Sequence, residues 1–483
     1  MSDNKQTSPA WTIENFLEVK NNQLHINGVS AVELAEKFDT PLFVFSESRI
    51  RHNINRLKAA QDSIPVPLKV CYAAKANSNM GILLAVKGAG CDIEVNSGGE
   101  LYKVLKVGFR PEQIIFNGTS KTIRELEEAI SVEIYAIQAD SIYEIGLIEK
   151  VAKSLQKRAN VSLRIVPEIE TGTHAGLKTA MNDSKFGMTL EDALLAFKTW
   201  KPADESVNLC GIHLHVGSQT PNPESYTEAL TFLWEKLLLI FAETGHKLTH
   251  LNLGGGFPVN YLRDGSQERD FPEGERTMFA ADFAPAEAIG LAWKTVQESA
   301  KRTDSEDLLN NIELLIEPGR SVIADAGICL TTVHNRKERP IKNSPLSTLH
   351  SPLKKDVWLL TDAGFNILLS METYKWYYQL ISAERADEKH DAPYKLAGPL
   401  CDGGDVYFDI EGHGRLPDYR LLPENVEPNE VLALLNCGAY SIAQMFQYNG
   451  RFLPAVVLIR ENGNVELVRK RDVYADLITN DIW

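Results

Sequence analysis

Cysteine is scarce and scattered. Cys71, Cys91, Cys210, Cys329, Cys401 and Cys437 lie far apart with no paired spacing. That excludes a disulfide framework and a zinc cluster as organising devices, and it fits a reducing cytoplasm. Basic charge is also short. The 483 residues carry 50 Lys and Arg against 65 Asp and Glu, a net charge of -15. Such a balance argues against a general nucleic-acid binder or a binder of anionic membranes. The longest uninterrupted apolar run, 237–242, is far too short to span a bilayer. The first nine residues are polar and lack the apolar stretch of a secretory signal. No Gly-x-Gly-x-x-Gly turn follows the first buried strand, which weighs against an open dinucleotide-binding sheet.

What the chain does have is a regular alternation. Its hydrophobic content, 44%, is ample for a large core. Strand-like apolar runs fall at 68–74, 91–95, 113–117, 134–138, 161–166, 209–216, 251–253 and 312–316, with helix-like segments between them. Eight buried strands alternating with helices predict an α/β fold of the (β/α)8 barrel kind over 46–323. After it the composition changes. Short strand candidates separated by turn residues predict a C-terminal antiparallel β domain over 324–483, and the N-terminal segment 1–45 is expected to join it. Within that domain, 334–355 is rich in Lys, Arg, Pro and Ser and reads as an exposed, mobile loop.

In a barrel of this kind, function sits at the carboxyl ends of the strands. Those ends carry Lys75, Glu94 with Ser97-Gly-Gly-Glu100 after it, Arg164, His213-Leu-His215-Val-Gly-Ser218, Gly254-Gly255-Gly256-Phe257 and Glu317-Pro-Gly319-Arg320. A lysine delivered by a buried strand is expected to be desolvated, which lowers its pKa and makes it a nucleophile for an aldehyde. The Gly254–Gly256 run lets backbone N–H groups approach an anion, and Gly319-Arg320 follows the last strand, where barrels often bind phosphate. Glu317 ends an apolar strand and needs a partner, such as an arginine or a protonated ring nitrogen. His213 and His215 share a face, but no third ligand follows at useful spacing, so no metal site is expected. A lysine for an aldehyde, a phosphate cradle and a carboxylate for a pyridinium nitrogen together point to pyridoxal 5'-phosphate.

With these residues in view, the chain resembles the alanine-racemase-like fold type of pyridoxal-phosphate enzymes. Within it, it resembles the decarboxylases of diaminopimelate, ornithine, and D-ornithine or D-lysine. The motifs that carry the resemblance are Tyr72-Ala-Ala-Lys75-Ala-Asn77, Ser97-Gly-Gly-Glu100, His215-Val-Gly-Ser218, Gly254-Gly-Gly-Phe257, Glu317-Pro-Gly-Arg320, Gly398-Pro-Leu-Cys401-Asp402-Gly-Gly-Asp405 and Cys437-Gly-Ala-Tyr440. The resemblance implies that Lys75 holds the cofactor aldehyde as a Schiff base, that His215 stacks on the ring and that Glu317 keeps the ring nitrogen protonated. It gives the phosphate to Ser218, Gly254, Gly255, Gly256, Gly319, Arg320 and Tyr440, and the inner wall to Arg164 and Glu100. Relatives carry an aspartate where this chain has Glu94, which leaves Asp92 and Glu94 as alternatives for that position. Cys401 would protonate the carbanion from the partner subunit, so the resemblance implies a homodimer with shared sites.

For the substrate, the expectation is a free amino acid with a distal amine, ornithine or lysine, in the L or D form. Relatives acting on diaminopimelate carry an arginine where this chain has Ser370, and Asp402 stands at the acidic position after the cysteine as in ornithine decarboxylases. Glu372 would add negative charge, and Tyr374 lies on the same segment. The alternatives are meso-diaminopimelate, a citrylated or otherwise conjugated amino acid from siderophore synthesis, racemisation, and a non-catalytic regulator.

Overall fold

The computed structural model describes residues 9–166, 185–341 and 355–482. The chain divides into two compact units. One comprises Ile50–Val259 and Ala281–Val322, the other Met1–Arg49, Asn260–Ala280 and Ile323–Trp483.

The first unit is a closed barrel of eight parallel strands: Leu68–Ala73, Asp92–Val95, Ile114–Phe116, Ala136–Ala139, Ala159–Arg164, Val207–His213, His250–Asn252 and Glu313–Ile316. Each pairs with its sequence neighbour, and the last closes on the first through Ile316 and Val70. Strands covered on both faces tolerate no polar alternation, which is why they read as continuous apolar runs. Ile114–Phe116 and Ala136–Ala139 are buried at every residue. Inside the barrel, Cys71, Ile115 and Leu315 pack together. Lower down, the wall is polar: Lys69 pairs with Asp92 at 2.7 Å, and the Tyr135 hydroxyl donates to Glu313 at 2.7 Å. Side-chain caps start the helices beyond the strand ends. Ser97, Thr122 and Ser141 each accept a backbone N–H of the first turn of Gly98–Val107, Ile123–Ser131 and Ile142–Leu155.

The second unit is built on a nine-stranded sheet. Its centre is Leu42–Ser46, buried at all five residues, antiparallel to Gly327–Pro340 and parallel to Ala455–Ile459. The N-terminal segment therefore supplies a core strand. The sheet is mixed where an antiparallel one was expected, since Lys355–Thr361 and Ala392–Ala397 are also parallel. A strand brought in from a distant part of the chain is tied to its neighbour by no hairpin, so its direction is free.

The expected loop over 334–355 is corrected in its first part. Gly327–Pro340 is one continuous 14-residue strand, paired with Lys355–Thr361 as far as Pro340. The charged residues after Val333 line its solvated half; they mark exposure, not irregular backbone. Residues 342–354 lie outside the described residues. The segment Asn260–Ala280, read from the sequence as barrel, belongs to the second unit. Tyr261 packs on Trp376 with ring centroids 5.2 Å apart, and Phe271 on Tyr377 at 5.1 Å. No helix among the described residues is long and apolar enough to cross a membrane.

Candidate active site

Lys75 leaves the first barrel strand in a short 3-10 turn, Ala74–Ala76. The turn is anchored by the Tyr72 hydroxyl, which donates to the Asn77 carbonyl at 3.0 Å, and by Ala73 N–H on the Pro318 carbonyl. Ala74, Ala76 and Asn77 are buried, but the Lys75 side chain is exposed. The desolvation expected from the sequence is thus absent in the barrel alone. The strand buries its apolar residues and releases the lysine into the open mouth.

What surrounds Lys75 is a ring of titratable groups. Glu94 is fully buried, and burial pushes its carboxyl up to about 8, with the Lys75 ammonium opposing the rise. Asp92 turns the other way, to Lys69 and to the Gln113 amide at 2.8 Å. Of the two acids left open by the sequence, Glu94 is therefore the one whose charge meets Lys75. Glu100 reaches back to the Asn96 N–H at 2.8 Å while its own N–H donates to Ser97, a capping arrangement. Burial raises its carboxyl, and that hydrogen bond opposes the rise. The Arg164 guanidinium lies over the Phe186 ring at 4.3 Å, with Asp140, Glu317 and Glu94 as its negative neighbours.

Glu317 is 5% exposed and is held on three sides. Its N–H donates to the Gly254 carbonyl at 2.7 Å, and the amides of Asn117 and Asn252 each donate to one carboxylate oxygen at 2.7 Å. Burial raises its pKa; Asn252, Lys75 and Asn117 oppose that rise. His213 Nε2 stands 3.6 Å from Oε2, and burial keeps this imidazole neutral, well below its ordinary pKa.

His215 Nδ1 accepts the Gly255 N–H at 3.2 Å, which leaves the proton on Nε2. Burial and the Lys75 charge push its pKa down to about 3. The glycine run Gly254–Gly256 has left-handed backbone at Gly254 (φ 64°) and Gly256 (φ 96°). A Cβ on Gly254 would sit 2.7 Å from His215 Nδ1, and one on Gly255 or Gly256 would strike the carbonyl of Glu317 or Gly217. Only bare backbone fits there. Close by, Arg320 Nε and Nη2 each lie 3.4 Å from Ser218 Oγ, on the turn that begins with Gly319.

The remaining expected residues lie in the second unit. Cys401 is exposed, and its N–H donates to Asn449 Oδ1 at 2.7 Å. The oxygens of Asp402 accept from Gly404 N–H and from the Tyr448 hydroxyl. Arg451 donates to the Pro399 carbonyl at 2.9 Å, beside the same loop. Ser370 is buried, its hydroxyl 3.5 Å from the Gln444 side chain, while Tyr374 is exposed. Glu372 does not stand as a free negative charge: Lys375, buried, pairs with it at 3.0 Å. Tyr440 has left-handed backbone, φ 57°, just after Gly438.

The pyridoxal-binding domain of pyridoxal-dependent decarboxylases matches residues 50–324. The chain is 34% identical to the diaminopimelate decarboxylase of Methanocaldococcus jannaschii over 96% of both chains. It is 33% identical to that of Aquifex aeolicus over 95% of this chain and 96% of the other. This chain belongs to the pyridoxal-dependent decarboxylases. The crystal structure of the M. jannaschii enzyme in complex with L-lysine superposes with a TM-score of 0.81 at 32% identity, covering 97% of this chain and 98% of that one.

The decarboxylase site fits its cofactor. Glycine backbone where no Cβ is tolerated, with a guanidinium and a hydroxyl nearby, suits a phosphate. A carboxylate held by two N–H donors suits a protonated ring nitrogen, and an exposed lysine whose charge reaches that carboxylate suits an aldehyde. The sequence reading missed Asn117 and Asn252. The signal available was position alone: each is an amide at the carboxyl end of a barrel strand.

Asp405 ends the Cys401 loop but is buried. It is 3% exposed and accepts from Phe365 N–H at 2.9 Å and Leu400 N–H at 2.8 Å. Burial lifts its carboxyl to about 6; those two N–H groups and Arg451 oppose the rise and Asp402 adds to it. A folded-state pKa above the unfolded value of about 3.9 means that the folded decarboxylase binds the proton more tightly. The associated stability is fully present below pH ~4 and is lost as pH rises to about 6, on the order of 2–3 kcal/mol. Asp405→Asn should flatten the fall of Tm between pH 4 and 6.5 relative to the parent. An unchanged slope would show that the loop does not hold this proton.

Proposed function

We propose that this decarboxylase acts on meso-diaminopimelate, releasing CO2 and leaving L-lysine. The observation that carries the reading is similarity to diaminopimelate decarboxylases along the whole chain, 34% identity over 96% of both partners. It reverses the order drawn from the sequence, where a distal amine came first. That order rested on Ser370 and Asp402, and the further negative charge expected of Glu372 is offset by Lys375. Arg451, beside the Cys401 loop, offers a guanidinium suited to a distal carboxylate.

When bound, pyridoxal phosphate supplies an electron sink for the pair left behind as CO2 departs. The chain does the rest. Lys75 would hold the cofactor's aldehyde carbon, beside Glu94, whose carboxyl burial pushes towards its protonated form. Glu317 would keep a proton on the ring nitrogen, and the neutral His215 imidazole would pack against the ring. Ser218, Gly254, Gly255, Gly256, Gly319 and Arg320 would hold the phosphate, Arg164 and Glu100 would order the wall, and the family resemblance adds Tyr440 to the phosphate holders. Cys401 returns a proton to Cα from the second unit of a partner copy, so the working form is a homodimer. These roles rest on family resemblance together with the clustering of the barrel residues.

A second reading, an ornithine or lysine decarboxylase, is favoured by Ser370, which replaces the arginine expected opposite a distal carboxylate. The two are separated by kcat/KM for meso-diaminopimelate and for the L and D forms of lysine and ornithine. We expect meso-diaminopimelate to lead by about 10²-fold or more, because a site built for a second carboxylate leaves polar groups unpaired with a diamine. A higher value for any diamine acid hands the function to the second reading.

A further inference from the structure

The donors that grip Glu317 through its two carboxylate oxygens are neutral amides. Asn117 follows the strand Ile114–Phe116, and Asn252 ends the strand His250–Asn252. The orientation of Asn252 is set by a second hydrogen bond. Asn252 Oδ1 accepts the Gly254 N–H at 2.9 Å, so its nitrogen must face Glu317. Asn117 turns its Nδ2 to the carboxylate, and its Oδ1 is buried with no partner among the described residues. A carboxylate that accepts an N–H on each oxygen is favoured in its ionised form. An arginine or lysine at these positions would do the same but would also cancel the charge. Amides stabilise it and leave it whole.

We propose that Asn117 and Asn252 are positioning residues that keep Glu317 ionised and aimed at the cofactor's ring nitrogen, with Asn252 also tying that carboxylate to the Gly254 turn. The inference rests on the reading of Glu317 given above. It predicts a division of labour: the glycine turn and Lys75 hold the cofactor, and the two amides set the strength of the contact with the ring nitrogen. Among the described residues Lys75, Arg164 and Glu94 also act on this carboxylate through their charge, the buried Cys71 thiol feels it, and the neutral His213 ring stands 3.6 Å from Oε2. None of them replaces the two short N–H contacts.

The test uses the apoprotein and two ligands, pyridoxal 5'-phosphate and its 1-deaza analogue, in which carbon replaces the ring nitrogen. The parent should bind the first more tightly by about 10- to 100-fold, the range of a hydrogen bond between charged groups. Asn117→Asp and Asn252→Asp keep the shape but turn a donor into an acceptor, and Asn117→Ala and Asn252→Ala remove it. Each should cut the preference to about 3-fold or less while affinity for the deaza analogue stays as in the parent. Equal losses for both ligands would mean that the amides are merely structural and would overturn the proposal. So would a parental preference in the asparagine variants when Glu317→Gln abolishes it, and the Glu317 assignment would then stand. A parental preference in Glu317→Gln itself would overturn the assignment of Glu317 and the proposal with it.

Discussion

Lys75→Ala is expected to abolish both the absorbance of lysine-linked cofactor and turnover, the latter by about 10³-fold or more. The physical ground is placement. Lys75 is the lysine that emerges at the carboxyl end of a barrel strand into the mouth where Glu94, Glu100, His213, His215 and Glu317 all feel its charge. Lys69 lies on the same strand but at its other end, paired with Asp92. Lys121 is buried and committed to Glu144 and to the carbonyls of Gly118 and Gln138. Neither can replace Lys75. Pyridoxal phosphate should still bind to the variant through its phosphate, weakly and without the lysine-linked band. Full turnover in Lys75→Ala would end the assignment, and with it the reading of this mouth as the active site.

Cys401→Ala is expected to lower kcat by about 10²- to 10⁴-fold, the usual contribution of a positioned proton donor, while cofactor affinity changes little. Cys401 is exposed, whereas the other five cysteines are buried. Burial pushes the thiols of Cys71, Cys91 and Cys210 up, which suits packing and not proton transfer. The loop that carries Cys401 is pinned at three points, by Asn449, by Tyr448 through Asp402 and by Arg451 through Pro399. If the thiol serves the barrel of a partner copy, mixing inactive Lys75→Ala with inactive Cys401→Ala protein should restore activity, since a hybrid dimer holds one intact site of two. No recovery despite demonstrated subunit exchange would place the cysteine outside a shared site. Loss of cofactor with normal turnover on resupply would make it structural.

Much of this was legible in the chain. Parallel barrel strands are buried on both faces, so each reads as an apolar run, and the residue that follows the run lands at the functional end. Lys75, the Gly254 turn and Glu317 stand out as candidates in this way, because the signal is local: a run, its end, and the residue type there; the role of His215 comes from the family resemblance. The cap that Ser97 gives to the Glu100 N–H is local as well. Charge composition misled where a solvated strand looked like a loop, at His334 to Pro340, since exposure and irregular backbone leave the same mark in a sequence.

Sequence alone determined the alternation of strand and helix, the residues offered at the strand ends and the cofactor class they suit, because each depends on neighbours a few positions away. Tertiary structure decided which of those residues meet. Asn117 and Asn252 lie 200 and 65 residues from Glu317, and only the closing of the barrel brings both amides to one carboxylate. It also decided their charge states. Glu94 rises because the barrel excludes water from it, His215 falls for the same reason, and Lys75 stays exposed because its strand ends at the open mouth. Solvent access belongs to the assembled fold, and no stretch of sequence carries it.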